Sequence, residues 1–266
     1  MANSNGGIVG VDNPPTQIPE IITTFNSSGT LTTAPYTTSV DYLVVAGGGG
    51  GGNGNGGDAA GGGGAGGFRT GSSFPVTSAT AYPITVGGGG SNASGSNSSI
   101  GTSIVSTGGG RGGQALGGAG YSGGSGGGDA GFRNSSIGGS GIAGQGYAGG
   151  PGNPQGYASG SGGGPGGLGT AHPNGLYNTI SGASVYYGRG GDGYYSPENV
   201  LQPVNTGNGG DGRAVTAGYG QLGASGIVIL RMGTPNYSGN ITGSPSVTSS
   251  GGITTLIFTS SGSYTA

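Results

Sequence analysis

The chain has 266 residues, with 76 Gly, 14 Pro, six basic residues that are all Arg, eight acidic residues and a net charge of −2. Sparse, scattered charge excludes the basic stripe that follows a nucleic-acid backbone, and the absence of Cys excludes disulfides, thiol catalysis and thiolate metal centres. Gly and Pro make up roughly a third of the chain against a usual ~12%, but the glycine period is too often interrupted for a collagen triple helix, and recurring apolar strands set the chain apart from a plain linker.

In chain order, residues 1–20 read as an extended attachment arm, because Pro14, Pro15 and Pro19 fix φ and remove backbone donors. The first residues have neither a basic region nor a long apolar run, so no signal peptide is expected, and no stretch approaches the length of a membrane span. Residues 21–107 read as a β-strand base that includes the first glycine run. Ile22-Thr23-Thr24-Phe25 and Thr30-Leu31-Thr32-Thr33 flank a turn at Gly29, and Phe25 and Leu31 give one apolar face. Tyr42-Leu43-Val44-Val45 forms a short buried strand that launches Gly47–Gly52. Further strands follow around Phe68, Phe74–Val76, Tyr82–Val86 and Ile100–Val105, with residues 87–99 as a long hairpin connection.

Residues 108–226 alternate glycine runs with loops. A threefold extended chain has three residues per turn and no internal hydrogen bonds. Its N–H and C=O groups point sideways, and they must be paired if buried. Glycine on two of three faces lets neighbouring rods approach and bond one another, so this region is expected to be a polyglycine II bundle with its variable loops at the far end. Residues 227–266 hold a closing strand, Ile227–Leu230, and a partial internal repeat: Leu256–Ala266 matches Thr23–Thr33, with Phe, Ser, Ser, Gly and Thr coincident. The repeat either completes the same sheet or pairs with another chain's edge. The fold class is thus mainly β and irregular, a small antiparallel β-sandwich-like base plus a polyglycine II bundle, with no α-helix. The launching and closing strands are expected to share one sheet.

Catalytic vocabulary is sparse. His172 is the single histidine and sits in the turn sequence Ala-His-Pro-Asn-Gly, which suits a loop or ligand contact better than a triad. Asp58, Asp129, Asp192 and Asp211 each follow a glycine, but they are too far apart for a tandem calcium repeat and read as residues that end or turn glycine runs. Glycine strings without Lys cannot form a phosphate loop. No cofactor or metal is expected. The loops Thr170–Tyr187 and Tyr194–Thr206 are richer, since Tyr177, Tyr186, Tyr187, Tyr194 and Tyr195 fall within 19 positions. Tyrosines on such loops supply either packing or contact area at low entropic cost. Together with His172, Asn178 and Glu198 they form the candidate receptor-binding set.

The succession Thr24-Phe25-Asn26-Ser27-Ser28-Gly29-Thr30-Leu31-Thr32, Val40–Ala46 with its glycine run, Tyr82-Pro83-Ile84-Thr85-Val86-Gly87 and Gly226–Arg231 resembles the glycine-rich domain of bacteriophage tail-fibre and adhesin proteins, those of marine tailed phages especially. The body is also similar in architecture to the distal tail-fibre adhesin of T-even-like phages, from which the strands before Val45 and the terminal repeat depart. The resemblance implies a non-catalytic virion protein that adheres to a host surface receptor, protein or glycan, through displayed loops. It would contact other virion proteins through its arm or C-terminal strand, with homo-oligomers allowed and neither nucleic-acid binding nor membrane insertion expected. The alternative is a capsid-decoration or self-assembling extracellular filament protein.

Overall fold

The computed structural model describes residues 37–54, 59–115, 118–131, 138–153, 159–169, 175–193, 202–213 and 220–266. The chain divides into two units, Met1–Pro35 and Tyr36–Ala266, and every described residue belongs to the second. The arm and the strands expected at 22–25 and 30–33 lie outside the described residues.

Antiparallel sheet dominates the regular structure. One sheet holds β1 (Ser39–Val45), β2 (Phe68–Pro75), β8 (Ile227–Gly233), β10 (Ser246–Ser250) and β11 (Ile253–Phe258), in the order β10-β11-β8-β1-β2. The other holds β3 (Ala81–Thr85), β4 (Ser98–Ile100), β5 (Ile104–Ser106), β9 (Ile241–Thr242) and β12 (Gly262–Thr265), in the order β5-β4-β3-β12-β9. Side chains alternate across a strand. The row Val40, Val44, Val228, Leu230, Leu256 and Phe258 therefore faces Ile84, Ile100, Ile104 and Tyr264 in one core between the sheets. Among the described residues the only helix is a single 3-10 turn, Thr234–Asn236. As expected, the launching and closing strands are neighbours: Leu43 lies opposite Ile229, and Val45 opposite Ile227. The C-terminal repeat pairs within the chain, β11 beside β8 and β12 beside β3, so one short segment crosses from one sheet to the other.

The glycine body grows from the end of β1. Gly47 and Gly50 donate to the carbonyls of Ser96 and Ala93, Gly48 and Gly51 to those of Ala224 and Gln221, and Gly49 and Gly52 to those of Gly64 and Gly61, all at 2.9–3.0 Å. The partner run changes at each residue and returns at every third. Each partner also steps back by three, so these neighbours are antiparallel. On the acceptor side, Gly47 and Gly50 receive Gly109 and Gly112, and Gly49 and Gly52 receive Gly210 and Arg213. These partners ascend together, so these neighbours are parallel. Gly90 donates to the Gly48 carbonyl at 2.8 Å and adds a further neighbour. This three-residue bonding repeat pairs the buried backbone groups without a sheet ladder.

This network changes one expectation and extends another. The first glycine run sits amid the body, with neighbouring runs around it, rather than within the strand base. Residues 87–97 join the antiparallel neighbours β3 and β4, as expected of a long hairpin connection, and within it they supply two more runs bonded to residues 47, 48 and 50. A run without side chains carries no hydrophobic periodicity that would place it in the body.

Asp192 and Asp211, buried at two of the Gly-Asp steps, join neighbouring runs, and Asp58 lies outside the described residues. Asp211 Oδ1 accepts the Asp192 N–H at 2.8 Å, and Asp192 pairs with the Arg189 guanidinium. Asp192 is buried, and removing its partner leaves a charge with less compensation. Arg189→Met is expected to cost about 2–3 kcal/mol, at the lower edge of the range for broken buried pairs because Arg189 is partly exposed. Urea denaturation of the purified variant measures this.

Candidate functional site

The described part of the loop expected over 170–187 folds as a hairpin, β6 (Leu176–Asn178) and β7 (Val185–Tyr187), with Tyr177 opposite Tyr186. The Asn178 Oδ1 accepts the Ile180 N–H at 2.9 Å, an Asx turn that starts the reversal. Gly182, at φ +90°, completes the reversal in a conformation other residues rarely adopt. Alternation then splits the hairpin into two faces. Val185 and Tyr187, with Ile180 from the turn, pack on Leu43, Val45, Phe68, Ile227 and Ile229, the outer face of the β1/β8 sheet. The hairpin therefore sits on the base and not at the far end of the bundle. The reason is that this sheet face is itself apolar and needs a cover.

The predicted tyrosines divide accordingly. Tyr187 is only 3% exposed and its ring is taken up by the core. Tyr177 is 71% exposed, and its ring centroid stands 4.8 Å from that of half-buried Tyr186, forming an aromatic ridge on the outer face. Asn178 lies at the hairpin's edge, half-buried. His172, Tyr194, Tyr195 and Glu198 lie outside the described residues.

At the start of the hairpin, Leu176 helps line a groove of about 610 Å³ with Phe68, Gln145, Tyr147 and Pro165 among others. One wall is the turn 142–146, fastened to the base by the Phe68 N–H on the Gln145 carbonyl at 3.0 Å and the Thr107 N–H on Gln145 Oε1 at 2.7 Å. Tyr147 and Leu176 remain largely exposed across it. Tyr147, Pro165 and Leu176 are not among the residues that the sequence marks as candidates. A Tyr in Gly-Tyr-Ala is a visible signal, but its meeting with Leu176 depends on how the hairpin docks. Aromatic and aliphatic surface with a few amide and hydroxyl groups can hold a ligand by contact and orientation.

Burial raises the Tyr187 hydroxyl above its usual range, and a hydrogen bond with Ser181 partly offsets this. Burial, with a smaller contribution from Tyr264, also raises Tyr237. A phenol with a raised folded pKa contributes stability that is fully present below its unfolded value near 10 and lost as pH rises through the folded value. Stability is therefore expected to fall above about pH 10. Urea midpoints between pH 8 and 11 measure the slope, and Tyr187→Phe is expected to flatten it.

A mainly β protein with two antiparallel sheets packed on one core and a glycine-built body extending from the end of β1 is the class these observations define. The chain belongs to the glycine-rich domain family, whose match covers residues 24–233. No curated protein and no solved structure matches it.

Proposed function

We propose that the chain is a non-catalytic virion fibre or appendage protein that adheres to a host-cell surface, with the Tyr177–Tyr186 ridge and the groove at Leu176 as the contact surface. The observation that carries this reading is an aromatic pair turned outward on a hairpin whose other face is anchored in the core. Rigidly held tyrosines offer amphipathic contact area at little entropic cost, and loops on a stiff scaffold are where binding concentrates. The likeness of its motifs to phage tail-fibre sequences supplies the virion setting and a host receptor as partner. Replacing Tyr177 and Tyr186 together by Ser, then measuring adsorption of particles or purified protein to host cells, tests it. At least a tenfold loss is expected, in line with the hot-spot weight of buried aromatics at interfaces. Unchanged adsorption by the folded variant defeats the assignment.

A second reading, a structural or self-assembling extracellular protein, is favoured by β10. That edge strand, Ser-Val-Thr-Ser-Ser, is exposed along its whole length and carries no charge or proline to discourage pairing. Under this reading Thr248→Lys lowers the assembly state seen by light scattering.

A further inference from the structure

The outer face of the β1/β8 sheet changes character along its strands. Leu43, Val45, Ile227 and Ile229 lie under the hairpin, but the next residues on the same face are Asp41 and Arg231, directly opposite each other. Beside them β2 supplies Thr70 and Ser72, and the hairpin edge supplies Asn178 and Thr179. Together they line an open groove of about 340 Å³.

The groups in this groove are only partly used by the fold. Ser73, which has positive φ at the irregularity in the β1/β2 pairing, donates its N–H to Asp41 Oδ1 at 2.9 Å. That bond fixes the carboxylate and leaves Oδ2 to accept. Among the described residues the Arg231 guanidinium has no hydrogen-bond or ion-pair partner, although an opposite charge stands across the strand pair. Thr70 Oγ1 donates to the Tyr42 carbonyl at 2.9 Å and keeps its lone pairs. Asn178 commits its Oδ1 to Ile180 and keeps its amide hydrogens.

We infer that this groove binds one sugar ring through a pair of neighbouring hydroxyls, which bridge the Asp41 carboxylate and the Arg231 guanidinium. A hydroxyl is both donor and acceptor. One of the pair donates to Asp41 Oδ2 while the next accepts from Arg231, and both bonds are charge-assisted. The two charges cancel, so the groove does not select for a charged ligand, and the surrounding hydroxyl and amide groups suit a polyol. An amino-acid zwitterion also complements the two charges, but the lining offers little to hold its side chain. The inference rests on the adhesive reading above and narrows its receptor to a surface glycan.

Saturation-transfer NMR on the full chain, with free mannose and galactose as probes and alanine as the zwitterion control, tests the site. Transfer to at least one sugar is expected. It is expected to fall to the baseline in Arg231→Gln, whose lost group has no partner to leave behind, and in Asp41→Asn, whose Oδ1 still accepts from Ser73. Matching thermal midpoints establish that both variants are folded. Transfer to neither sugar, transfer to alanine alone, or sugar transfer unchanged in both variants overturns the inference. Adsorption assays on the same variants separate it from the broader reading. Adsorption that needs Tyr177 and Tyr186, with no sugar transfer, keeps adhesion and removes the glycan. Sugar transfer that needs Asp41 and Arg231, with adsorption indifferent to all four residues, keeps the groove and removes the adhesive role.

Discussion

Gly49→Ala is expected to lower the thermal midpoint by roughly 2–12 °C or to prevent folding, because a methyl group there has no room. An added Cβ would stand 2.2 Å from the Gly110 carbonyl oxygen and 2.5 Å from its carbon. Both are backbone atoms that cannot rotate away. Gly49 also donates to Gly64 and accepts from Gly210, so any shift that relieves the clash stretches bonds to other runs. Overpacking a close-packed interior costs about 1–3 kcal/mol and occasionally more, and each kcal/mol moves the midpoint of a domain this size by roughly 2–4 °C. The control is Gly88→Ala, a run residue with no atom within 4 Å of its added Cβ, which should stay within about 0.5 kcal/mol. Thermal unfolding followed by circular dichroism compares the two. Equal midpoints would show that the body tolerates side chains and that glycine is not what permits its packing.

The strands that bracket this body were legible because each is an apolar β-branched run with no competing pattern: Tyr42–Val45 and Ile227–Leu230 announce burial on both faces. The two outer faces were legible only as alternation. Val185-Tyr186-Tyr187 implies that one tyrosine points opposite the other, but which of them meets the core depends on the apolar face of Leu43 and Ile229, brought up from far along the chain. Hence Tyr186 and Tyr187 looked equivalent in sequence and are not in the fold. The meeting of Asp41 with Arg231 was hidden for a similar reason, as they are 190 positions apart and become neighbours only through the β1/β8 register. Glycine runs carry least information of all. Their order in the body is set by backbone bonding, which leaves no trace in residue type beyond the absence of side chains.

The C-terminal repeat is where the two sheets depend on one segment, and ending the chain after Gly252 is expected to abolish cooperative folding. That truncation removes β11 from between β8 and β10, and β12 from between β3 and β9. It also strips Leu256, Phe258 and Tyr264 from the core, all of them at most 1% exposed. Tyr264 does more than fill space. Its hydroxyl contacts Thr37 at the entry to β1 and points at the Met232 sulfur at 3.2 Å, and its ring stacks on Tyr237 at 6.3 Å. Losing each large buried side chain costs about 2–5 kcal/mol, so the three together rival the whole 5–15 kcal/mol stability of a typical domain. A gentler version of the same experiment is Phe258→Ala, expected to cost about 3–5 kcal/mol and to lower the midpoint by roughly 10 °C. Val247→Ala on the neighbouring exposed edge should change little, within about 0.5 kcal/mol. Adding a synthetic peptide of residues 253–266 to the truncated chain should restore a cooperative transition, since the peptide brings both strands and the three core side chains. A truncated chain that unfolds cooperatively without the peptide, at the midpoint of the full chain, would mean that the sandwich core does not depend on this segment.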